Sequence, residues 1–122
     1  MAKYQVLLVD DNPVVRRIVR QVLEKESELR ICGEADDGIE ALDKAKLLHP
    51  DIVILDLSMP VMSGLEAAPQ IRHLLPDACL ILFTLYGDHE VERAAKQAGI
   101  DAVISKADRG DALVKAARAF FA

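Results

Sequence analysis

Residues that bind metals through sulfur or nitrogen are scarce in this sequence. Among its 122 residues are two cysteines, Cys32 and Cys79, which lack the paired spacing of a zinc site or a disulfide framework. We expect both to be small core residues that remain unbridged. The three histidines, His49, His73 and His89, have no histidine partner four residues away, and we interpret them as solvated helix or loop residues. A zinc site is therefore not expected.

Long apolar runs are also missing, and so is an excess of positive charge. No run is long enough to cross a bilayer, and residues 6–9 are followed at once by two carboxylates, which argues against a signal peptide. A cytoplasmic location is therefore the default expectation. The 15 basic and 20 acidic residues give a net charge of -5, which disfavours direct binding of nucleic acid by this domain. No glycine-rich nucleotide loop, internal repeat or linker occurs.

The chain does contain a regular alternation of short apolar runs and amphipathic segments. Its length and its 52% hydrophobic content fit one domain, residues 1–122, with no room for a separate catalytic or output domain. Strands are predicted at 6–9, 29–34, 52–55, 79–84 and 102–105, and helices at 14–23, 39–48, about 65–75, 91–98 and 113–121. The uninterrupted apolar run at 52–55 indicates a strand buried on both faces, whereas the alternation at 29–34 is typical of an edge strand.

A few residues mark where the helices begin and end. Asn12 is a suitable N-cap and Pro13 suits the first position of the first helix, whereas Gly99 suits the left-handed end of the fourth. Asp108 is expected to cap the last helix. Pro69 lies inside the third helix and is expected to remove one backbone hydrogen bond and kink the helix, unless its regular part starts late.

Alternating strands and helices predict an α/β fold in which a doubly wound, five-stranded parallel sheet carries five helices on its two faces. The flavodoxin-like strand order 2-1-3-4-5 is the best match. In that order the first and third strands are neighbours, so Asp10, Asp11 and Asp56 converge at their carboxyl ends. Thr84 and Lys106 lie along the same edge, where such sheets bind their ligands.

The acidic residues have an ordinary interpretation when each is taken alone. An aspartate after a strand is most often a turn former, and Asp10 and Asp11 could simply complement the dipole of the following helix. Together, however, three converging carboxylates repel one another and have raised pKa values unless a cation compensates. Mg²⁺ suits oxygen ligands with open positions and favours a phosphoryl group. Lys106 and the Thr84 hydroxyl could contact phosphoryl oxygens, which leaves Asp56 as the nucleophile that forms an acyl phosphate.

These residues also follow the strands in a recognisable order. The sequence has Asp10-Asp11 after the first strand, Asp56 with Met59-Pro60 and Gly64 after the third, Thr84 after the fourth and Lys106 after the fifth. In this order the whole chain resembles the receiver domains of two-component response regulators. The resemblance implies that Asp56 is the phosphoacceptor and that Thr84 and Lys106 contact the phosphoryl group. It further implies that Asp11, Asp56 and the backbone carbonyl of Ser58 bind Mg²⁺, with Asp10 acting through water.

Three residues depart from the usual receiver pattern. Ala107 replaces the proline that usually follows the lysine, as in many receivers joined to LuxR-type helix-turn-helix outputs, and we expect the Lys106–Ala107 peptide bond to be trans. Val103 stands where receivers often carry an aromatic switch residue. Leu85 stands where a small residue usually follows the threonine, and its bulk is expected to narrow access to the site.

The resemblance implies a phosphorylation-dependent switch rather than an enzyme with a separate substrate. A sensor histidine kinase or a phosphotransfer protein would donate the phosphoryl group, and the domain would catalyse only its own phosphoryl uptake and autodephosphorylation. A pseudo-receiver, an interaction module that is not phosphorylated, is the alternative, although the full set of site residues argues against it. A phosphatase of the haloacid dehalogenase group would need its nucleophile on the first strand and a cap domain. A homodimer or a DNA-binding output domain outside this chain would suit exposed Phe120 or Phe121, which could equally be core residues.

Overall fold

The computed structural model describes residues 3–108 and 110–121, which fold around one parallel sheet. Its strands are β1 (Tyr4–Val9), β2 (Leu29–Ala35), β3 (Ile52–Leu55), β4 (Cys79–Thr84) and β5 (Ala102–Ser105). Its helices are α1 (Pro13–Glu24), α2 (Gly38–Leu48), α3 (Gly64–Leu74), α4 (His89–Gln97) and α5 (Asp111–Phe121), with a 3₁₀ turn at Lys106–Asp108. The strand order β2-β1-β3-β4-β5 confirms the predicted flavodoxin-like fold.

Helices cover both faces of the sheet, and each face has its own apolar core. Along β3, Val53 and Leu55 belong to the core under α2, α3 and α4, whereas Ile52 and Ile54 belong to the core under α1 and α5. All four side chains are buried. Because successive side chains of a strand point to opposite faces, a strand covered on both sides needs apolar residues at every position. This explains why the run that precedes Asp56 is uninterrupted.

The edge strand β2 departs from the predicted alternation. The pairing of β1 with β2 shifts between Val6, which lies opposite Ile31, and Leu7, which lies opposite Gly33, so Cys32 is an extra residue on β2. The shift breaks the alternation of inward and outward side chains, and it leaves Cys32 half-buried rather than in the core. Cys79 is buried, as predicted, and both cysteines are free thiols.

Most of the predicted helix boundaries are confirmed. The Oδ1 atom of Asn12 accepts hydrogen bonds from the backbone N–H groups of Val14 and Val15, and Pro13 begins α1. Gly99 has a left-handed φ of 89° after α4. The third helix begins one residue earlier than predicted and continues through Pro69, which lies on its exposed side.

The prediction that Asp108 caps the last helix is wrong. Asp108 belongs to the 3₁₀ turn, and α5 begins only at Asp111, directly after Gly110. Gly110 has a φ of 96°, and a Cβ atom there would lie 2.8 Å from Cγ1 of Val22. The chain therefore turns through a left-handed glycine packed against α1 before the helix starts, which places Asp108 too early to be its N-cap.

Three further expectations concern the Lys106–Ala107 peptide bond, the two phenylalanines of α5 and the absence of a membrane-spanning segment. No cis peptide bond occurs in the described residues, so the Lys106–Ala107 bond is trans as predicted. Phe121 stacks on the ring of Tyr4 with centroids 4.6 Å apart, whereas Phe120 packs edge-on against the same ring and is 38% exposed. Of the helices in the described part of the chain, none has the length and apolar character needed to cross a membrane.

Candidate functional site

Asp10 and Asp56 are held in place by the sheet itself. Asp10 follows β1, and its backbone N–H donates to the carbonyl of Ala35 at 3.0 Å, while the N–H of Asp56 donates to the carbonyl of Val9 at 2.9 Å. These bonds extend the parallel ladders by one residue beyond the strands. Both aspartates are buried, whereas Asp11 is exposed in the loop that leads to α1. The backbone positions of Asp10 and Asp56 are therefore set by pairing within the sheet, whereas Asp11 belongs to a loop.

Three carboxylates converge at this edge of the sheet, as the sequence predicts. Asp10, Asp11 and Asp56 each offer an oxygen atom, and these atoms all lie within 4.8 Å of one another. Three like charges this close, with two of the side chains buried, repel one another strongly because little water screens them. A set of hard oxygen donors beside open solvent is what Mg²⁺ requires, so the residues present fit this ion.

Lys106 supplies the positive charge that the cluster contains. Its Nζ atom donates hydrogen bonds to Oδ2 of Asp10 at 2.8 Å and to Oδ1 of Asp56 at 3.1 Å. The side chain is only 15% exposed. A 3₁₀ turn begins at Lys106, and the N–H of Ala107 donates a hydrogen bond to Oγ of Ser105 at 3.1 Å at the start of this turn.

The ionisation of the site reflects both burial and this charge pairing. Burial raises the pKa of Asp56 above its usual range, the charge of Asp10 raises it further, and the hydrogen bond from Lys106 only partly opposes them. For Lys106, burial alone would lower the pKa, but hydrogen bonds to Asp10 and Asp56 outweigh burial and raise it. Lys106 therefore stays charged at neutral pH, whereas Asp56 holds a proton to a higher pH than an ordinary aspartate does.

Thr84 ends β4 and lies almost completely buried, with 1% of its surface exposed. Its Oγ1 atom accepts a hydrogen bond from the N–H of Tyr86 at 3.0 Å, so its O–H can still donate to another group. The next two side chains, Leu85 and Tyr86, are 65% and 64% exposed. Val103 on β5 is half-buried below this loop. In the described residues Thr84 makes no hydrogen bond to Asp56.

The loop between β3 and α3 fits tightly around Asp56. A Cβ atom on Gly64 would lie only 2.2 Å from the carbonyl oxygen of Asp56, so only glycine allows this approach. The N–H of Gly64 donates to the carbonyl of Leu57 at 3.1 Å, and Ser63 caps α3. Ser58 is exposed and, with Asp11, lines an open depression on this surface. Ser58, whose carbonyl is the predicted ligand, therefore lies on the same side of the cluster as Asp11.

One contact to the site was not predicted from the sequence. Arg16, in the first turn of α1, donates from Nη1 to the backbone carbonyl of Asp10. Its Nε atom donates to Oε1 of Glu34 at 2.8 Å. The hydrophobic periodicity of α1 indicates which face is buried, but it does not identify the acceptor of a polar side chain beside that face. The only signal in the sequence is a basic residue one turn after the N-cap Asn12.

The fold agrees with the comparisons with known proteins. The family model described as the response regulator receiver domain matches residues 6–118. The chain belongs to this family. The receiver is 42% identical over 106 residues to the chemotaxis protein CheY of Halobacterium salinarum, an alignment that covers 87% of this chain and 86% of that protein. Membership of the family implies phosphorylation-dependent signalling.

Solved structures of other receivers are closely similar. A two-component response regulator of the LuxR family from Aurantimonas has a TM-score of 0.90 and 32% identity, with 97% of this receiver and 84% of that chain covered. The CheX–CheY complex with BeF₃ and Mg²⁺ from Borrelia burgdorferi gives a TM-score of 0.90 and 28% identity, with 99% and 91% covered. Some curated relatives are longer: the receiver spans 28% of a protein-glutamate methylesterase of Methanosarcina mazei and 54% of the transcriptional regulatory protein YxjL of Bacillus subtilis.

Proposed function

We propose that this receiver accepts a phosphoryl group on Asp56 from a sensor histidine kinase or a phosphotransfer protein, in a reaction that requires Mg²⁺. The observation that supports this most strongly is the cluster in which Asp56 lies. Its carboxylate lies with those of Asp10 and Asp11 within 4.8 Å and accepts a hydrogen bond from Lys106 at 3.1 Å. A nucleophile, a set of metal ligands and a fixed cation are thus combined at one point.

The residues proposed to hold Mg²⁺ are Asp11, Asp56 and the backbone carbonyl of Ser58, with Asp10 acting through water. When bound, the ion supplies positive charge that neutralises phosphoryl oxygens and the carboxylates around them. The burial and mutual repulsion that raise the pKa of Asp56 would be relieved by such a charge. Metal binding is therefore expected to favour the ionised form of Asp56, which is the form that acts as a nucleophile.

In the proposed reaction an oxygen of Asp56 forms a bond to phosphorus, and the bond between phosphorus and the donor's histidine nitrogen breaks. The product on this chain is an acyl phosphate, and the donor imidazole leaves with the electron pair. Lys106 already lies 3.1 Å from Oδ1 of Asp56, so its ammonium group is placed to pair with a phosphoryl oxygen. The Thr84 hydroxyl retains a hydrogen that it can donate to a second oxygen.

The proposed output is a change in the binding of partner proteins. Thr84 is followed directly by two exposed side chains, Leu85 and Tyr86, so a movement of its hydroxyl toward a phosphoryl group would displace an apolar part of the surface. A second copy of the receiver and a DNA-binding output domain outside these residues are the partners that we propose, the latter because the fold matches a LuxR-family regulator. The acidic receiver itself is not proposed to bind nucleic acid.

The test is to incubate the protein with MgCl₂ and acetyl phosphate and to measure its intact mass, with EDTA in a parallel sample. Asp56→Asn should abolish the added phosphoryl mass, because an amide cannot act as the nucleophile. Asp43→Asn is the matched control, because Asp43 is an exposed aspartate on α2 whose side chain makes no hydrogen bond in the described residues. Labelling of Asp56→Asn at the parent's level would show that another residue is the acceptor. A parent protein that is not labelled by acetyl phosphate or by phosphorylated kinases would be a pseudo-receiver.

A further inference from the structure

Arg16 joins the candidate site to the edge strand through three acceptors. Its guanidinium group donates to the backbone carbonyl of Asp10, donates from Nε to Glu34 at 2.8 Å, and pairs through Nη1 with Asp36 at 2.7 Å. The Arg16 side chain is only 15% exposed, whereas the Asp36 side chain is 64% exposed, so the contacts with the carbonyl and with Glu34 are better shielded from water than the contact with Asp36. A planar guanidinium carries several donors in a fixed arrangement, so it can hold acceptors that lie in different directions at set relative positions.

The contact with the carbonyl completes the restraint of Asp10. The N–H of Asp10 is bound to Ala35, Oδ1 accepts from the N–H of Asn12 at 2.9 Å, and Oδ2 accepts from Lys106 at 2.8 Å. The carbonyl belongs to the peptide unit that links Asp10 to Asp11. Holding its oxygen therefore restrains the plane of that peptide and limits the directions in which Asp11 can present its carboxylate.

The side chain of Asp11 is not held by any contact of its own in the part of the chain that the structure describes. It is exposed, and its carboxylate makes no hydrogen bond or ion pair there. The peptide unit held by Arg16 and the N-cap at Asn12 consequently restrain the backbone on the two sides of Asp11. The cost of ordering a metal ligand is smaller when its backbone is already fixed, because less conformational entropy is lost on binding.

The position of Arg16 is in turn held by an ion-pair network on the α1–β2 surface. Arg20 pairs with Oε2 of Glu34 at 2.6 Å, while Arg16 occupies Oε1. Burial alone would raise the pKa of Glu34, but the hydrogen bonds from Arg20 and Arg16 outweigh burial and lower it. Glu34 therefore stays ionised at neutral pH. The two arginines are balanced by Glu34 and Asp36, so the network adds little net charge beside the carboxylate cluster.

We propose that Arg16 is a positioning residue for the metal site: by holding the Asp10–Asp11 peptide it raises the affinity of the aspartate cluster for Mg²⁺. This inference rests on the function proposed above. The direction in which Mg²⁺ affinity changes on removal of Arg16 distinguishes this proposal from a simple charge effect. A cation beside a cation site repels the metal, so removal of Arg16 should strengthen Mg²⁺ binding if only charge matters. If placement matters, the same removal should weaken binding.

The test compares Arg16→Met with Arg17→Met. Arg17 is the next residue on α1, and its exposed side chain makes no hydrogen bond or ion pair in the described residues, so its substitution removes the same charge without the contact. Mg²⁺ affinity is measured by titration calorimetry, and phosphoryl uptake from acetyl phosphate is measured against Mg²⁺ concentration. Arg16→Met should weaken Mg²⁺ binding about tenfold, in the range known for residues that orient metal ligands. Its uptake rate should recover at saturating Mg²⁺, because none of the groups that contact the phosphoryl is removed.

Three results would overturn the inference: unchanged or tighter Mg²⁺ binding by Arg16→Met, equal weakening by Arg17→Met, or an uptake rate that stays low at saturating Mg²⁺. If Arg16→Met does not fold, Arg16→Gln replaces it, because glutamine removes the same charge and can still bond with Glu34 but is too short to hold the Asp10 carbonyl as well. Arg16→Gln should also weaken Mg²⁺ binding, and unchanged or tighter binding would refute the proposal. If the parent protein binds no Mg²⁺, the proposed function fails instead, so the two failures are distinguishable.

Discussion

Lys106→Met should destabilise the metal-free protein by about 3 kcal/mol, because it leaves the carboxylate cluster without a cation. The two contacts of Nζ, at 2.8 Å to Asp10 and 3.1 Å to Asp56, correspond to a gross attraction of about 5–6 kcal/mol each with an effective dielectric constant of about 20. Desolvation of the lysine cancels much of that gain. Removal of one partner of a buried ion pair costs about 3–5 kcal/mol, and the 15% exposure of Lys106 favours the lower end.

The assay is urea unfolding at pH 7 with and without MgCl₂. Mg²⁺ replaces the missing positive charge, so it should stabilise Lys106→Met more than it stabilises the parent protein. A ligand at one hundred times its dissociation constant contributes about 2.7 kcal/mol, which is large enough to measure. Lys115→Met is the matched control, because Lys115 is an exposed residue of α5 without an ion pair in the described residues, and its removal should change stability by less than about 0.5 kcal/mol.

The pH dependence of the same measurement tests the cause. Burial, followed by the charge of Asp10, raises the pKa of Asp56 in the folded protein, so the folded state binds more protons than the unfolded state between the ordinary and the raised pKa. Stability from this group therefore falls as pH rises through that window, and the deficit of Lys106→Met should shrink as the pH is lowered from 7. The pKa of Lys106 is raised, so its own contribution is complete at pH 7. A loss below about 1 kcal/mol, or a deficit independent of both pH and Mg²⁺, would place the contact among weak surface pairs and refute this reasoning.

Three further substitutions test the loops around the site. Gly64→Ala places a Cβ atom 2.2 Å from the carbonyl oxygen of Asp56. This substitution should lower the free energy of unfolding in urea by about 1–3 kcal/mol and slow phosphoryl uptake. Gly87→Ala is the control, because the nearest neighbour of its Cβ atom would be 3.4 Å away, and it should change neither quantity. Val61 has a φ of 68° and is 79% exposed, so Val61→Asn should raise the midpoint of thermal unfolding by relieving about 1 kcal/mol of backbone strain; a lower midpoint would contradict this. Val103→Tyr should leave phosphoryl uptake from acetyl phosphate intact, because its side chain contributes no group to the cluster, and a lost uptake would show that β5 controls the chemistry.

The edge of the sheet could be predicted because strand order follows from simple rules. Alternating strands and helices with right-handed crossovers leave few topologies, and each strand ends where an apolar run meets a polar residue. The run at Ile52–Leu55 has no polar position because helices cover both of its faces, which also explains why Asp56 is the first residue that can be charged. Asp10 meets Asp56 because the neighbouring parallel strands β1 and β3 end together, and the long side chain of Lys106 reaches both from the end of β5, across the end of β4.

The sequence predictions failed at two places, the alternation of side chains along β2 and the N-cap of α5. A single shift in register makes Cys32 an extra residue on β2, and period-two alternation cannot reveal such a bulge, because both flanking segments keep the pattern. The start of α5 was misplaced for a related reason. Asp108 has the chemistry of an N-cap, but the backbone reaches the helix only after a left-handed turn at Gly110, whose close packing against Val22 is a tertiary contact.

Two cationic side chains contact Asp10, and their positions have different causes: one follows from the backbone topology and the other from side-chain packing. Lys106 reaches the carboxylate of Asp10 from a strand end, so its place could be predicted, and its ammonium occupies the oxygens that a metal would need. Arg16 reaches the carbonyl of the same residue from a helix, so its place depends on a rotamer that Glu34 and Asp36 hold. The positive charge of Lys106 at the carboxylates competes with a metal ion, so loss of Lys106 should strengthen Mg²⁺ binding. Restraint of the Asp10–Asp11 peptide favours metal binding, so loss of Arg16 should weaken it. On this proposal, the Mg²⁺ affinity of the site reflects a balance between the lysine contact with the Asp10 carboxylate and the arginine contact with the Asp10 backbone carbonyl.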